Sequence, residues 1–306
     1  MLVSGTIVEG FWHKSAYRIC RELGRGSMGV VYIVENCKDS QLYAMKVAHS
    51  MQSIASEWKR LDTIQKQVQS KYFGPVLFEM DDIKTEDRRL YFYTMEYIDG
   101  KNLNDLKSKM SIQQYLACIC QLATHLHKLH LKKRIFADVK PENIIIESSN
   151  HQVRLVDFGG VVSVGGLVKQ YSAIYDRGSW KMGNRTADFQ YDLFAVGIMI
   201  LQKFVGRDSL CDAQKKPLPM FALYDIIHNE LHPRLKQICI KIFSEKYASA
   251  EQMYKELQQV VSEPISAKRS SNSCLSAVIL IDSVFWSSLL FMVGSICYVV
   301  SDAFRW

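Results

Sequence analysis

The chain has 306 residues, with 38 Lys and Arg against 31 Asp and Glu (a formal net charge of +7), and 48% of its side chains are hydrophobic and 23% charged. That balance excludes a disordered or fibrous chain and leaves room for one large two-lobed domain or two modest ones. The cations are spread along the sequence and no dedicated nucleic-acid-reading motif is present, so the charge favours anionic ligands over a specialised nucleic-acid reader.

Residues 1–12 carry neither a basic n-region nor a long apolar stretch with a cleavage site, so nothing at this end directs the chain out of the cytosol. Residues 1–16 are expected to form an N-terminal extension. Strand-like runs follow at 17–23, 29–34, 42–47 and 90–95, separated by Gly, Asn, Asp and Ser, with a helical stretch at 54–67. This predicts a small, sheet-rich unit over 17–99. Past Asp99-Gly100 the period changes: Leu116, Ile119, Leu122, Ala123, Leu126 and Leu129 recur at helical spacing, and further helices are expected near 192–204, 234–243 and 250–260. The second unit, 100–262, is therefore mainly helical. The eight cysteines show no CxxC pair and read as small core hydrophobes in a reducing compartment.

Residues 263–274 are polar, contain Pro264 and read as a juxtamembrane linker. The run 275–300 would rise about 39 Å as a helix, enough for a hydrocarbon core of about 30 Å. Its one charge, Asp282, lies near an end, and Lys268 and Arg269 ahead of it place the folded domain on the cytoplasmic side of a plasma membrane, leaving 301–306 as a short external tail. Ser287, Ser288, Gly294 and Ser295 would permit close contact with a second copy, so a homodimer is an open partner call.

The chemistry is carried by four segments. Gly24-Arg25-Gly26-Ser27-Met28-Gly29-Val30-Val31 fits GxGxxGxV between two strand-like runs, where glycines let backbone approach phosphates. Lys46, in Ala44-Met45-Lys46-Val47 on the next strand, can neutralise α- and β-phosphates. Asp138-Val139-Lys140-Pro141-Glu142-Asn143 and Asp157-Phe158-Gly159 complete the set. Phosphoryl transfer needs a carboxylate to orient and deprotonate the acceptor hydroxyl, a cation near the moving phosphate and oxygen ligands for Mg²⁺. Asp138, Lys140, and the pair Asn143 with Asp157 supply these in order; Mn²⁺ would suit the same ligands.

With these motifs in place, residues 17–261 resemble the eukaryote-like (Hanks-type) protein kinases. The resemblance implies an α+β bilobal kinase fold, a small antiparallel-sheet lobe and a mainly helical lobe, with ATP and Mg²⁺ between them. It implies Glu57 as the ion-pair partner of Lys46, Met95 as gatekeeper, the backbone of Glu96 and Ile98 facing adenine, Ala44 and Val31 lining its pocket, and Asp192 opening the large helix. Lys140 two positions after Asp138 is similar to the serine/threonine branch.

Three departures accompany it. Phe136-Ala137 stands where the family has His-Arg, removing the arginine that receives a segment phosphate. Only eleven positions separate Lys46 from Glu57, a shorter interval than usual. Gly178-Ser179-Trp180 replaces the Ala-Pro-Glu that closes the segment, and a cation–π pair of Trp180 with Lys246 is expected in its place. Tyr175-Asp-Arg-Gly-Ser-Trp, Tyr191-Asp-Leu-Phe-Ala-Val-Gly and the apolar tail look most like the tail-anchored YabT-type kinases of endospore-forming bacteria, implying a membrane-bound enzyme linked to sporulation. The expected activity is transfer of the ATP γ-phosphate to Ser and Thr of protein substrates, including the chain itself, with nucleic acid or anionic lipid as an activator. The alternative is a membrane-tethered pseudokinase scaffold or nucleotide-binding module.

Overall fold

In the computed structural model the described residues are 2–26, 29–70, 72–84, 89–170 and 172–262. Ser27, the linker 263–274, the apolar run 275–300 and the tail 301–306 lie outside them. Among the described residues no helix is long and apolar enough to cross a membrane.

The N-terminal lobe is a six-stranded antiparallel sheet built from β1 (Ile7–Glu9), β2 (Ala16–Gly26), β3 (Gly29–Asn36), β4 (Leu42–Ala48), β5 (Leu77–Lys84) and β6 (Arg89–Glu96), in the order β1-β2-β3-β4-β6-β5. Strand alternation sorts β4 cleanly. Met45 and Val47 join Tyr32, Val34 and Phe92 in a buried cluster on one face, which leaves Ala44 and Lys46 on the other. Between β4 and β5 runs α1 (Met51–Val68), capped by Ser50, whose hydroxyl accepts the Ser53 N–H at 3.2 Å. Ile54, Glu57, Leu61 and Ile64 form its buried stripe.

The helical lobe starts with β7 (Gly100–Asn102), the short α2 (Leu103–Leu106) and α3 (Ile112–Leu131), which opens on a capping box of Ser111 with Gln114. Short ladders follow: β8 (Arg134–Ile135) pairs with β11 (Val162–Ser163), and β9 (Ile144–Glu147) lies between β7 and β10 (Val153–Leu155). The remaining helices are α4 (Phe189–Lys215), α5 (Pro219–Glu230), α6 (Pro233–Phe243) and α7 (Ala250–Ser262). In α4 the helical conformation is broken at Gly206, with φ of 79°, a region open to glycine at no steric cost.

The structure corrects the sequence reading in three places. Residues 1–16 are not an appendage: β1 pairs with β2, and Val8 is buried in the same cluster as Met45 and Phe92. The strand β5 goes unrecognised because its buried positions include Asp81 and Asp82, so no apolar alternation marks it. α5, absent from the sequence reading, starts on Pro219 and has no side-chain cap.

Asp81 explains how the N-terminal segment is held. Its carboxylate accepts the backbone N–H of Trp12 at 3.0 Å and of His13 at 2.7 Å, and the His13 ring lies 3.2 Å away. Burial pushes this carboxyl up, but the N–H groups of His13, Trp12 and Asp82 more than offset it and hold it below the usual carboxylate range. A depressed folded value means that its stabilisation is complete above the ordinary Asp pKa of about 3.9 and is lost as pH falls through the lower folded value. Asp81→Ala is expected to cost about 1–3 kcal/mol by leaving those donors unpaired. Thermal unfolding at neutral pH checks this, and an unchanged midpoint would show that the segment is held by β1 pairing alone.

Candidate functional site

The sheet positions the first half of the site. On β4, Lys46 lies opposite Val31 of β3 and Tyr93 of β6, while Ala44 lies opposite Met95. These side chains therefore share one face. Lys46 Nζ donates to both carboxylate oxygens of Glu57 at 2.6 Å, with Lys46 6% and Glu57 2% exposed. The short interval between them closes because α1 begins three residues after β4 ends, with no intervening helix. Tyr93 adds its hydroxyl, which donates to Glu57 at 3.0 Å; burial and the neighbouring Glu57 carboxylate push that phenol well up. Asp157 Oδ1 lies 3.7 Å from Lys46 Nζ, so the ammonium sits between two carboxylates with one side toward the cleft.

The β2–β3 pair brings Gly24 opposite Val31 and Gly26 opposite Gly29. A Cβ at Gly24 or Gly26 would meet nothing within 4 Å, whereas one at Gly29, where φ is 144°, would lie 2.5 Å from the Val47 carbonyl oxygen. Packing requires glycine only at 29; at 24 and 26 there is open space into which a phosphate fits. The Arg25 guanidinium bonds Glu22 at 2.5 Å.

At the hinge after β6, the Glu96 N–H donates to the Val76 carbonyl at 2.7 Å. Its carboxylate receives Arg154 at 2.6 and 3.1 Å, and the 2%-exposed Arg154 also donates to the Gly74 carbonyl. An adenine edge would thus meet the Glu96 carbonyl and the peptide of Ile98, itself buried. In the sequence Arg154 is a lone strand arginine and carries no signal.

The second half hangs from α4. Asp192, in its first turn, accepts the backbone N–H groups of Phe136 and Ala137, each at 2.8 Å, and His130 Nε2 lies 2.9 Å from the same carboxylate. These bonds hold Ala137 at φ of 65°, a left-handed conformation costing a β-carbon-bearing residue about 1–3 kcal/mol. Asp138 follows directly. Its Oδ2 accepts from Lys140 Nζ at 2.7 Å and Asn143 Nδ2 at 2.9 Å, leaving Oδ1 for an acceptor hydroxyl. Burial pushes the Asp138 carboxyl above the ordinary value despite Lys140 and Asn143.

Phe158 sets the direction of Asp157. Its ring is 2% exposed, with centroids 5.5 Å from Phe73 and 5.4 Å from Phe136. Gly74 makes the room, since a Cβ there would lie 2.7 Å from the ring. Phe136, placed where the family pattern has His, is thus an apolar neighbour of this ring. With Phe158 anchored inward and Asp157 at φ of 62°, the Asp157 carboxylate turns to the cleft, its side chain 47% exposed. Asn143 uses its amide N–H groups on Asp138, which leaves its carbonyl oxygen. That oxygen and the Asp157 carboxylate are hard donors that fit a divalent cation keeping water and phosphate ligands.

Beyond Asp157, the expected cation–π pair is replaced. Trp180 is fully buried and its Nε1 donates to the Ile174 carbonyl at 2.8 Å, while Lys246 stays exposed and makes no such contact among the described residues. An ammonium keeps its hydration when nothing charged meets it inside. Arg177 instead reaches Glu245 at 3.1 Å. Beside it Asp176 receives Arg185 at 2.6 Å, the Ser179 hydroxyl at 2.6 Å and the Tyr191 hydroxyl at 2.7 Å. Burial pushes the Asp176 carboxyl up, but these three partners outweigh it and hold it below the usual range. Of the segment hydroxyls, Tyr175 is buried and donates to Gln202 at 2.6 Å, whereas Ser163 is exposed.

Comparison with known proteins agrees with this geometry. The family described as "Protein kinase domain" matches residues 17–278. The chain is similar to the serine/threonine-protein kinase YabT of Bacillus subtilis, 33% identical over 259 residues, covering 84% of this chain and 75% of that protein. It is also similar to serine/threonine-protein kinase D of Synechocystis, 28% identical over 80% of this chain and 52% of that protein. A third relative is mitogen-activated protein kinase kinase 7 of Arabidopsis thaliana, 28% identical over 64% of this chain and 66% of that protein.

Proposed function

The chain belongs to the protein kinase family as a Hanks-type serine/threonine protein kinase, and on that premise we propose that it phosphorylates protein Ser and Thr residues, its own among them, at the cytoplasmic face of a membrane. The observation that carries the reaction is the simultaneous closure of Lys46 on Glu57 and of Lys140 and Asn143 on Asp138. In the proposed step Asp138 Oδ1 accepts the hydroxyl proton as the oxygen bonds to the γ-phosphorus and the bridge to ADP breaks. Lys140 screens the charge that develops, and Lys46 with the glycine loop holds the non-transferred phosphates. Mg²⁺, held by Asn143 and Asp157, would neutralise the phosphate oxygens.

The membrane position rests on the run 275–300 and the cations before it, and a link to sporulation on the likeness to tail-anchored kinases of spore formers. The pseudokinase alternative loses its footing at this site, since each catalytic group has the partner that transfer needs.

The test is labelled phosphate transfer from ATP and Mg²⁺ to the full-length chain and to a generic basic protein, beside the Asp138→Asn variant, followed by flotation with lipid vesicles. Label on Ser or Thr only in the wild type supports the activity; tight nucleotide binding with no label in either overturns it. Recovery of the chain in the vesicle fraction, lost on deleting 275–300, supports the anchor. Equal recovery of both overturns it.

A further inference from the structure

Arg177 is 3% exposed, and its guanidinium is committed to partners from several parts of the chain. Nε donates to the Asn184 carbonyl at 2.9 Å and Nη2 to the Thr186 carbonyl at 3.2 Å. Nη1 donates to Asp188 Oδ1 at 2.8 Å and to Glu245 Oε1 at 3.1 Å, and Nη2 also bonds Asp188 Oδ2. The cation lies 5.5 Å from the centroid of the Tyr191 ring. Gly183 leaves the space, because a Cβ there would lie 3.0 Å from Arg177 Nε.

The partners give the cluster its meaning. Asp188 is the N-cap of α4, accepting the Tyr191 N–H at 3.0 Å. Glu245 lies in the turn between α6 and α7. Four residues after Asp188 in the same helix, Asp192 holds the peptides before Asp138. The segment that follows Asp157 and the loop that carries Asp138 are therefore both referenced to the first turn of α4. Ala137 presents no cation to a phosphate on that segment, whereas Arg177 on the segment meets carboxylates already in the chain. A buried arginine is costly to desolvate and persists where its planar fork is fully matched.

We infer that Arg177 is a positioning residue: by pairing with Asp188 and Glu245 it holds 172–180 in the arrangement that receives a protein substrate, without a phosphate. The pair Arg177–Glu245 places the cation on the segment and the carboxylate on the turn after α6. The inference rests on the kinase reading of the site.

Full-length wild type, Arg177→Gln, Glu245→Gln, the double variant and Arg177→Lys are compared by hydrogen exchange and steady-state transfer. For Arg177→Gln we expect faster exchange at 172–180 and a KM for the protein substrate raised about tenfold, with the KM for ATP unchanged, as lost substrate positioning requires. Glu245→Gln, at a half-exposed position that tolerates the change, moves the same two readouts less. The double variant is no worse than Arg177→Gln, since both act through one contact. Lysine does not rescue, because a point charge cannot span both carboxylates. Phosphatase-treated wild type keeps its initial rate.

Unchanged exchange at 172–180 in Arg177→Gln overturns the inference, as does a wild-type KM for the protein substrate or loss of wild-type activity on dephosphorylation. A wild type that transfers no label, like Asp138→Asn, would overturn the kinase reading instead, and the exchange comparison would still decide the anchoring.

Discussion

Asp138→Asn is expected to lower the transfer rate by about 10³-fold, the scale of a lost general base, with little change in nucleotide binding. The reason is local. Asn at 138 keeps the shape and can still accept from Lys140 and Asn143, whose bonds to Asp138 measure 2.7 and 2.9 Å, but it cannot take a proton from the acceptor hydroxyl. The same residue sets the acid limb of the pH profile. Burial raises the Asp138 carboxyl and Lys140 partly offsets this; only the ionised form works as a base, so activity falls as pH drops through a value above the ordinary Asp pKa of about 3.9. Lys140→Met removes the offset and should move the limb to still higher pH. Initial rates across pH for the three proteins test this: an Asp138→Asn rate within tenfold of wild type, or a limb unmoved in Lys140→Met, would take the base role from Asp138.

The second large effect is at Lys46. Lys46→Met removes the cation proposed to hold the phosphates and is expected to cost about 10²–10³-fold in rate. It also leaves Glu57, 2% exposed, as a buried carboxylate to which, among the described residues, only the Tyr93 hydroxyl donates. Breaking such a pair costs about 3–5 kcal/mol. Adding Glu57→Gln to Lys46→Met neutralises the buried charge and keeps an acceptor for Tyr93, so the thermal midpoint should recover while the rate does not. Recovery of both would make the pair a structural device with no part in the chemistry; recovery of neither would mean that the ammonium supports the fold beyond its bond to Glu57.

What could be read along the chain and what could not divides by the range of the contact. Asp138, Lys140 and Asn143 lie within six consecutive positions, and their mutual bonds in the structure are short-range ones. The glycine loop and the Asp157-Phe158-Gly159 turn are equally local. Family resemblance points to Glu57, and its unusual spacing from Lys46 closes because α1 starts at Met51. The expected Trp180–Lys246 contact failed because the sequence does not say which member of a nearby set of cations is desolvated. Lys246 keeps its water, while Arg177 is enclosed and paired.

By itself the amino-acid sequence determined the kinase class and marked the glycine loop, Lys46 and the cluster of Asp138, Lys140 and Asn143 as its candidate site. Each depends on residue types at fixed short spacing, or on the period of apolar positions along one element. Only the tertiary structure decided that residues 1–16 complete the sheet through Asp81, that Arg154 locks the hinge onto Glu96, and that Arg177 closes on Glu245. Those partners lie 69, 58 and 68 positions apart in the chain. Which distant charges meet, and which are stripped of water in meeting, is set by the packing of whole elements against one another.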